Sequence, residues 1–302
     1  MNSGPVFIGG LGRSGKTYMR FMLESHPAFA ISKRINFWSR YFNRFGDLQR
    51  DKNLSRFLRI LADHKHIRTL EIDFQRLYLD FKTGSRSYER LFALIHEQYA
   101  EKAGKSRWGN QSELLEKYAR QIMVAYPDSK FIHMLRDPRD HYEAVLRKSR
   151  YWGGVGGAAA CWLYSVSLAE SNRQRYPQRY MVVRYESLVS HPEETMMQVC
   201  DFLGEEYDPA MIKMEVASRF TDRDENTPSP LTTEYIGQYR KNLPVHEITF
   251  IQKLCGRFMQ KFDYPLEHIR YSVVENARFY ATHWPVNSVR MFGWQMRNLI
   301  VR

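Results

Sequence analysis

The stretch "GGLGRSGKT", Gly9 to Thr17, decides how the rest of the chain is read. It fits the phosphate-loop pattern G-x-x-x-x-G-K-[ST], running from Gly10 through Gly15, Lys16 and Thr17. The apolar "PVFI" before it predicts a buried strand over Pro5–Ile8, and "YMRFMLESHP" after it a helix over Gly15–Ser25. Tyr18, Phe21 and Met22 give that helix one apolar face. Pro27 ends it, because the residue before a proline is pushed out of helical geometry. A loop of successive backbone N–H groups at a helix start binds oxyanions, helped by the helix dipole. Glycines let the backbone approach, Arg13 and Lys16 add charge, and Thr17 adds a hydroxyl. ATP hydrolysis, phosphoryl transfer and sulfuryl transfer all use this geometry.

Outward from the loop, Lys130–Leu135 and Tyr180–Arg184 are short apolar runs that read as strands. Helical periodicity marks Tyr88–Ala103, Leu114–Ala125, Ala158–Gln174, the segment from "SHPEE" to Phe202, and Val245–Phe262. "GGVGG", Gly153–Gly157, reads as a break before one of these helices. Asp137 caps a helix whose first residue is Pro138, with Asp140 as a weaker capping-box partner. Residues 31–84 are aromatic and basic with weaker periodicity. Strands separated by long helices imply parallel pairing with crossover helices, hence an α/β fold. The expected architecture is a P-loop kinase-like parallel sheet flanked by helices. Residues 1–302 read as one domain with a C-terminal helical extension over about 271–302.

With 302 residues, 43% of them hydrophobic, the chain can bury a large core. A net charge of +12 predicts an anionic partner. A nucleotide, an acidic acceptor or a membrane surface fits that charge. Nucleic acid is not expected, since no aromatic-basic RNA motif or zinc finger appears. No run of 18 apolar residues predicts a membrane span. The first strand starts almost at Met1, leaving no room for a signal peptide. Cys161, Cys200 and Cys255 are odd in number and sit in helical patterns, so they read as buried thiols. A cytoplasmic location is expected.

A nucleoside-triphosphate enzyme normally places an aspartate at the end of a second apolar strand to help hold magnesium. Asp137 is the candidate, but it follows Arg136, precedes Pro138 and has a competing capping role. An arginine at that strand end is a better anion ligand than a metal site.

The combination resembles the sulfotransferase family that uses 3'-phosphoadenosine-5'-phosphosulfate (PAPS), in particular its tyrosylprotein and bacterial carbohydrate-type members. "GRSGKTYMRFMLESHP" is similar to their 5'-phosphosulfate loop, and "YPDSKFIHMLRDPRD" to their 3'-phosphate strand. "VVRYESLVSHPEETMMQVCDFLG" is similar to the segment with the adenine-stacking tyrosine, and "YIGQYRKNL" to a late tryptophan-basic stretch. In that last piece Tyr239 stands in the tryptophan's place. The pieces run from Pro5 to about Tyr264 in family order.

The resemblance implies that Gly12, Arg13, Ser14, Gly15, Lys16 and Thr17 hold the 5'-phosphosulfate. It implies that Arg136 holds the 3'-phosphate, with Lys148 as a second basic ligand, and that Tyr185 lies against adenine. PAPS is then the donor and adenosine 3',5'-bisphosphate (PAP) the product, with no metal expected. The implied acceptor is a hydroxyl or amine of a small molecule, a carbohydrate or a lipid-linked compound. Residues 31–84, 149–157 and 220–234 are the segments expected to shape its site. In sulfuryl transfer, charge builds on the leaving phosphate oxygen, and fixed cations such as Arg13 and Lys16 stabilise it.

Three residues depart from the family pattern. Lys16 replaces a threonine of the loop. In "WGNQSE", Gln111 stands where a lysine contacts the sulfuryl group, and Lys16 is the candidate to compensate from the other side. Ala144 replaces a 3'-phosphate serine. The base is the weakest part of the pattern. Lys33 and Arg34 occupy the region where tyrosylprotein relatives carry a glutamate. Glu113 is the candidate base, with a first-turn helix glutamate as its competing reading, and His26 and His133 are also near by topology. A P-loop kinase or NTPase, and a PAPS- or PAP-binding protein without catalysis, remain the alternatives.

The tail, Asn287–Arg302, repeats Val289, Phe292, Met296, Leu299 and Ile300 at helical spacing, with Arg290, Arg297 and Arg302 adding charge. It reads either as a helix docked on the core or as a peripheral membrane contact.

Overall fold

The computed structural model describes residues 4–148, 153–214 and 231–300. Five parallel strands form its sheet: β1 Val6–Gly10, β2 Phe29–Ser32, β3 Arg107–Gln111, β4 Lys130–Leu135 and β5 Tyr180–Arg184. Their order is β2-β3-β1-β4-β5, with β1 in the centre. Val6 pairs with Gly109 on one side and Lys130 on the other. Both faces of the sheet are covered, as parallel pairing requires. Phe7 and Phe131 face a core built with the helices between residues 37 and 126, while Val6, Ile8, Ile132 and Met134 face the opposite core. That opposite core includes α1, Lys16–Ser25, and the helix Pro192–Leu203.

β4 and β5 fall where their apolar runs place them, and β1 extends two residues further, into its glycines. β2 is marked only by the short apolar run at residues 28–31, and β3 carries no apolar run at all. "RWGNQ" is buried as a strand because Arg107 spends its guanidinium on the Gly4 and Leu203 carbonyls and on Glu205. Asn110 likewise bonds Ser32 on the edge strand at 2.9 Å. The polar groups are satisfied, so burial is tolerated. Residues 31–84 form β2's end and four short helices, and their aromatics mostly pack inward. Phe37, Trp38 and Phe57 are buried in one core with Phe92. They do not line a binding loop. Of the other two expected acceptor segments, residues 149–152 and 220–230 lie outside the described residues.

Asp137 caps the helix Pro138–Leu146, accepting from Arg139 N at 2.9 Å. Asp140 is not a capping-box partner. Its carboxylate turns away to accept from Gly237 N at 2.6 Å and Tyr239 N at 3.1 Å, tying a later segment to this helix. Tyr239 is buried, with Arg139 stacked 4.2 Å from its ring centre.

Gly153 is the left-handed N-cap, φ +82°, of a helix, Gly154–Arg175, to which the other glycines of "GGVGG" belong rather than to a break. The cause is another helix, Trp284–Ile300, which packs along it. A Cβ on Gly156 would lie 2.0 Å from the Asn287 carbonyl oxygen, so only glycine permits this approach. The tail is therefore docked, but not by the face its sequence suggests. Trp284, Asn287 and Trp294 turn inward, and Val289, Phe292 and Met296 turn outward. Just before Trp284, Phe279–His283 widens into a π-helical turn. Pro285 explains it: the residue has no N–H, and its ring would crowd the carbonyl four residues back in a regular α-helix.

Two substitutions test the packing. Gly156→Ala should destabilise by about 1–3 kcal/mol through overpacking. Gly293→Ala, where nothing stands within 4 Å of the added methyl, should stabilise by about 0.5–1 kcal/mol. Urea unfolding of both variants checks the pair. Equal effects would mean that the helices are not in contact at Gly156.

Candidate active site

In an open parallel sheet, ligands bind beyond the carboxyl ends of the strands, where the chain connections diverge. All five strands here deliver their next residues to one cleft of about 820 Å³. The residues are Lys33 and Arg34 after β2, Gln111 at the end of β3 with Glu113 after it, Gly12, Arg13 and Gly15 to Tyr18 after β1, Arg136 after β4, and Tyr185 after β5. Ala144, Arg147 and Lys148, at the end of the helix that follows Arg136, complete the wall with Tyr235, Arg20 and His66.

The glycine loop is shaped by what surrounds it. Gly10 has φ +107°, and a Cβ there would meet the Met134 carbonyl oxygen at 2.3 Å. Gly15 has φ +89°, and a Cβ there would meet the Tyr185 ring at 2.7 Å. Both glycines of the pattern are thus required by conformation and by space. Arg13 adopts a left-handed φ of +66° and stands exposed at the rim, as does Thr17. Gly12 lines the cleft. Ser14 does not bring its hydroxyl to the cleft, because Oγ turns inward to donate to the Leu11 carbonyl at 2.7 Å.

Lys16 is buried, and its ammonium curls under the loop. Nζ donates to the Gly10 and Leu11 carbonyls, each at 2.6 Å. Burial pulls its pKa down to about 8, against the opposing pull of Glu113 and Glu116. Lys16 and Gln111 line the same cleft, with the ammonium committed to the loop's own carbonyls.

Sequence reasoning missed Glu116. Its buried carboxylate accepts from Gly10 N at 3.0 Å and from the Ser165 hydroxyl. In a helical reading it passes for a surface glutamate, so the sequence carries no signal for it. Arg147, Tyr235 and His66 were missed as well. Arg147 lies beside the expected Lys148, and its guanidinium stacks 4.7 Å from the Tyr235 ring centre. The pKa of His66 is pulled down to about 4, first by burial and then by His64, Lys33, Arg34 and Lys65.

Arg136 donates to the Arg13 carbonyl at 3.1 Å and the Tyr235 carbonyl at 2.8 Å, and lies 4.4 Å from the Tyr185 ring centre. Its Nε is buried without a partner. Asp137 points the other way. Its two oxygens accept from Arg139 Nε at 3.0 Å and Nη2 at 2.6 Å, within a buried ion pair.

Glu113 sits in a turn after β3, not in the first turn of a helix. Its Oε1 accepts from Arg34 Nη1 at 2.9 Å across the mouth of the cleft. The same oxygen would lie 3.2 Å from a Cβ on Gly12, so the carboxylate stands against the loop. The two histidines do not reach this point. His26 bonds the Glu206 carbonyl at α1's end, and His133 is buried in β4 against the Tyr180 hydroxyl at 2.9 Å.

The cleft carries Arg13, Lys16, Arg20, Lys33, Arg34, Arg136, Arg147 and Lys148 against one carboxylate, Glu113. Arg20 is already paired with Glu24. Such an excess of cations around a backbone N–H loop selects a multiply charged anion. No cluster of metal-ligating side chains occurs among the described residues.

Residues 5–209 match the sulfotransferase family. A protein-tyrosine sulfotransferase of Drosophila melanogaster is 26% identical over 216 residues, covering 70% of this chain and 40% of its own. One from Caenorhabditis elegans is 24% identical over 217 residues, covering 70% of this chain and 52% of its own. The chain spans about half the length of the curated relatives it matches. Among solved structures, the sulfotransferase domain from the Synechococcus PCC 7002 olefin synthase superposes with a TM-score of 0.62 at 21% identity. The superposition covers 88% of this chain and 97% of that domain, which shows a shared fold. With a family match over residues 5–209, which takes in the glycine loop, Arg136 and Tyr185, the chain belongs to the sulfotransferase family.

Proposed function

We propose that the protein transfers the sulfuryl group of PAPS to a hydroxyl or amine of an acceptor and releases PAP. The contrast between Arg136 and Asp137 carries this reading. At the end of β4, where a nucleoside triphosphatase needs a carboxylate for magnesium, the aspartate is consumed by Arg139. The neighbouring arginine lines the cleft with a buried, unpartnered Nε, the kind of group that an anionic ligand completes. The tight glycine loop and the surplus of cations fit the donor's 5' and 3' charges equally well.

The donor, when bound, supplies an electrophilic sulfur and a phosphate leaving group. The loop N–H groups and Arg13 hold its 5' end at the start of α1, where preorganised donors stabilise the charge that develops. Arg136, Arg147 and Lys148 bind the 3'-phosphate, and Tyr185 borders the adenine. Glu113 takes the acceptor's proton, and Arg34 orients it. The acceptor is a small molecule, a carbohydrate or a lipid-linked compound. It enters on the side of Lys33, Arg34 and His66, a basic wall rather than an aromatic one.

Three measurements test these roles. Arg136→Ala should weaken PAP binding by about 1.5–3 kcal/mol while leaving adenosine 5'-monophosphate nearly unaffected, since only PAP carries the 3'-phosphate. Equal losses in calorimetry would make the arginine structural. Glu113→Gln should lower turnover by about 10²–10⁴-fold with PAP affinity unchanged or tighter. A variant with full turnover would remove Glu113 from the chemistry.

The third measurement follows pH. Lys16 loses its proton near pH 8 in the free protein, and an anion at the loop favours the protonated form. PAP affinity should therefore fall as pH rises through about 8, with proton uptake on binding near that pH. Lys16→Met should flatten this dependence. An unchanged pH profile in the variant would show that the ammonium does not feel the ligand.

A further inference from the structure

The outward face of the C-terminal helix is unexplained by its docking. Trp284, Asn287 and Trp294 fill the contact with the helix Gly154–Arg175 and its neighbours. On the opposite side, Val286, Val289, Phe292 and Met296 recur at spacings of three and four and remain 50%, 72%, 60% and 41% exposed. Earlier in the same continuous helical run, Val273 and Val274 are 88% and 77% exposed. Scattered surface apolar residues need no explanation, but a periodic row of large ones does.

We infer that this stripe docks the protein on an anionic lipid surface. The charge around it selects that occupant. From residue 268 to 300 the chain carries Arg270, Arg278, Arg290 and Arg297 against Glu275 alone. Arg290 and Arg297 each follow a stripe residue by one position, along its edge, and both are exposed. A helix with an apolar face and a basic margin lies in the headgroup region of a bilayer, with attraction to anionic lipids adding to apolar burial. A second copy of the chain would fit less well. A symmetric pairing of two such stripes would bring the arginines of both copies together across the contact. No helix among the described residues is long and apolar enough to cross a membrane, so the contact is peripheral.

The basic margin of the stripe also touches the helix on which the tail packs. The Arg290 guanidinium would lie 3.1 Å from a Cβ on Gly154, at the start of the helix that follows Lys148. The surface inference itself does not depend on the reaction proposed above.

Co-sedimentation of the full chain with vesicles tests it. The protein should bind vesicles of phosphatidylglycerol and phosphatidylcholine, bind phosphatidylcholine alone far less, and release partly in high salt. The triple variant Val289→Glu/Phe292→Glu/Met296→Glu should lose at least ~10-fold in partitioning. Its melting temperature and PAP binding should stay unchanged, because these side chains point away from the fold. Absence of wild-type binding to the anionic vesicles would overturn the inference. So would a wild-type dimer, seen by light scattering, that the triple variant converts to monomer while vesicle binding is unaffected. If the triple variant misfolds, Phe292→Ser with the same readouts replaces it, and undiminished vesicle binding by that folded variant would overturn the proposal.

Discussion

Gly10 is gripped at both of its backbone polar groups. Its N–H donates to the buried carboxylate of Glu116, and its carbonyl accepts from the buried ammonium of Lys16. Two opposite charges, each removed from solvent, thus meet at one residue at the end of the central strand. Each would be unfavourable there alone. Together they fix where β1 stops and where the loop turns. That turn sets the direction of α1 and places Arg13 and Gly15 against Arg136 and Tyr185. The loop side of the cleft is built on this residue, held at both its N–H and its carbonyl.

From that point the electrostatics follow the topology. Parallel strands end on the same side, so residues far apart in sequence converge on a single cleft. Lys33, Gln111, Arg136 and Tyr185 lie at or just past the ends of four different strands, all of which flank β1 directly or at one remove. The two sides of the cleft differ in kind. Towards β4 and β5 the cations are held by carbonyls and rings, as with Arg136 on Tyr235 and Tyr185. Towards β2 and β3 the Arg34–Glu113 pair is about half exposed on each partner. A pair that exposed contributes little to stability. Its place against the loop gives it a use that stability does not.

The parts of the fold visible in the sequence are those where one requirement dominates. β4 is a nearly continuous apolar run because both faces of an inner parallel strand are buried, and the edge strand β5 is apolar but only partly buried. The loop pattern is legible because few sequences satisfy a strand, two constrained glycines and a helix start at once. β3 is illegible because Arg107 and Asn110 are buried by satisfying their polarity, which no hydrophobic pattern records. Glu116 is hidden for the same reason. "GGVGG" misleads because glycine marks a turn locally, while here it marks the approach of a helix more than a hundred residues later. Of the site, Arg136, Lys148, Gly12 and Glu113 reach the cleft as the sequence suggests, whereas the Ser14 hydroxyl turns inward. A rotamer decides that difference, and sequence does not encode it.

Lys16 shows how stability and binding pull apart at such a site. Its pKa is about 8 in the folded protein, against an ordinary value of 10.5. Below pH 8 the group is charged in both states, and the folded protein bears the full disadvantage of burying an ammonium, a few kcal/mol. Between about 8 and 10.5 the unfolded chain binds more protons than the folded one, so this disadvantage shrinks as pH rises. Affinity for an anion runs the opposite way, because the same deprotonation removes the charge that attracts it. A residue kept only for the fold would be better replaced by an apolar one of similar size. The loop instead retains a lysine whose charge opposes folding over the neutral range, and a polyanion at the loop is the condition under which that charge becomes favourable.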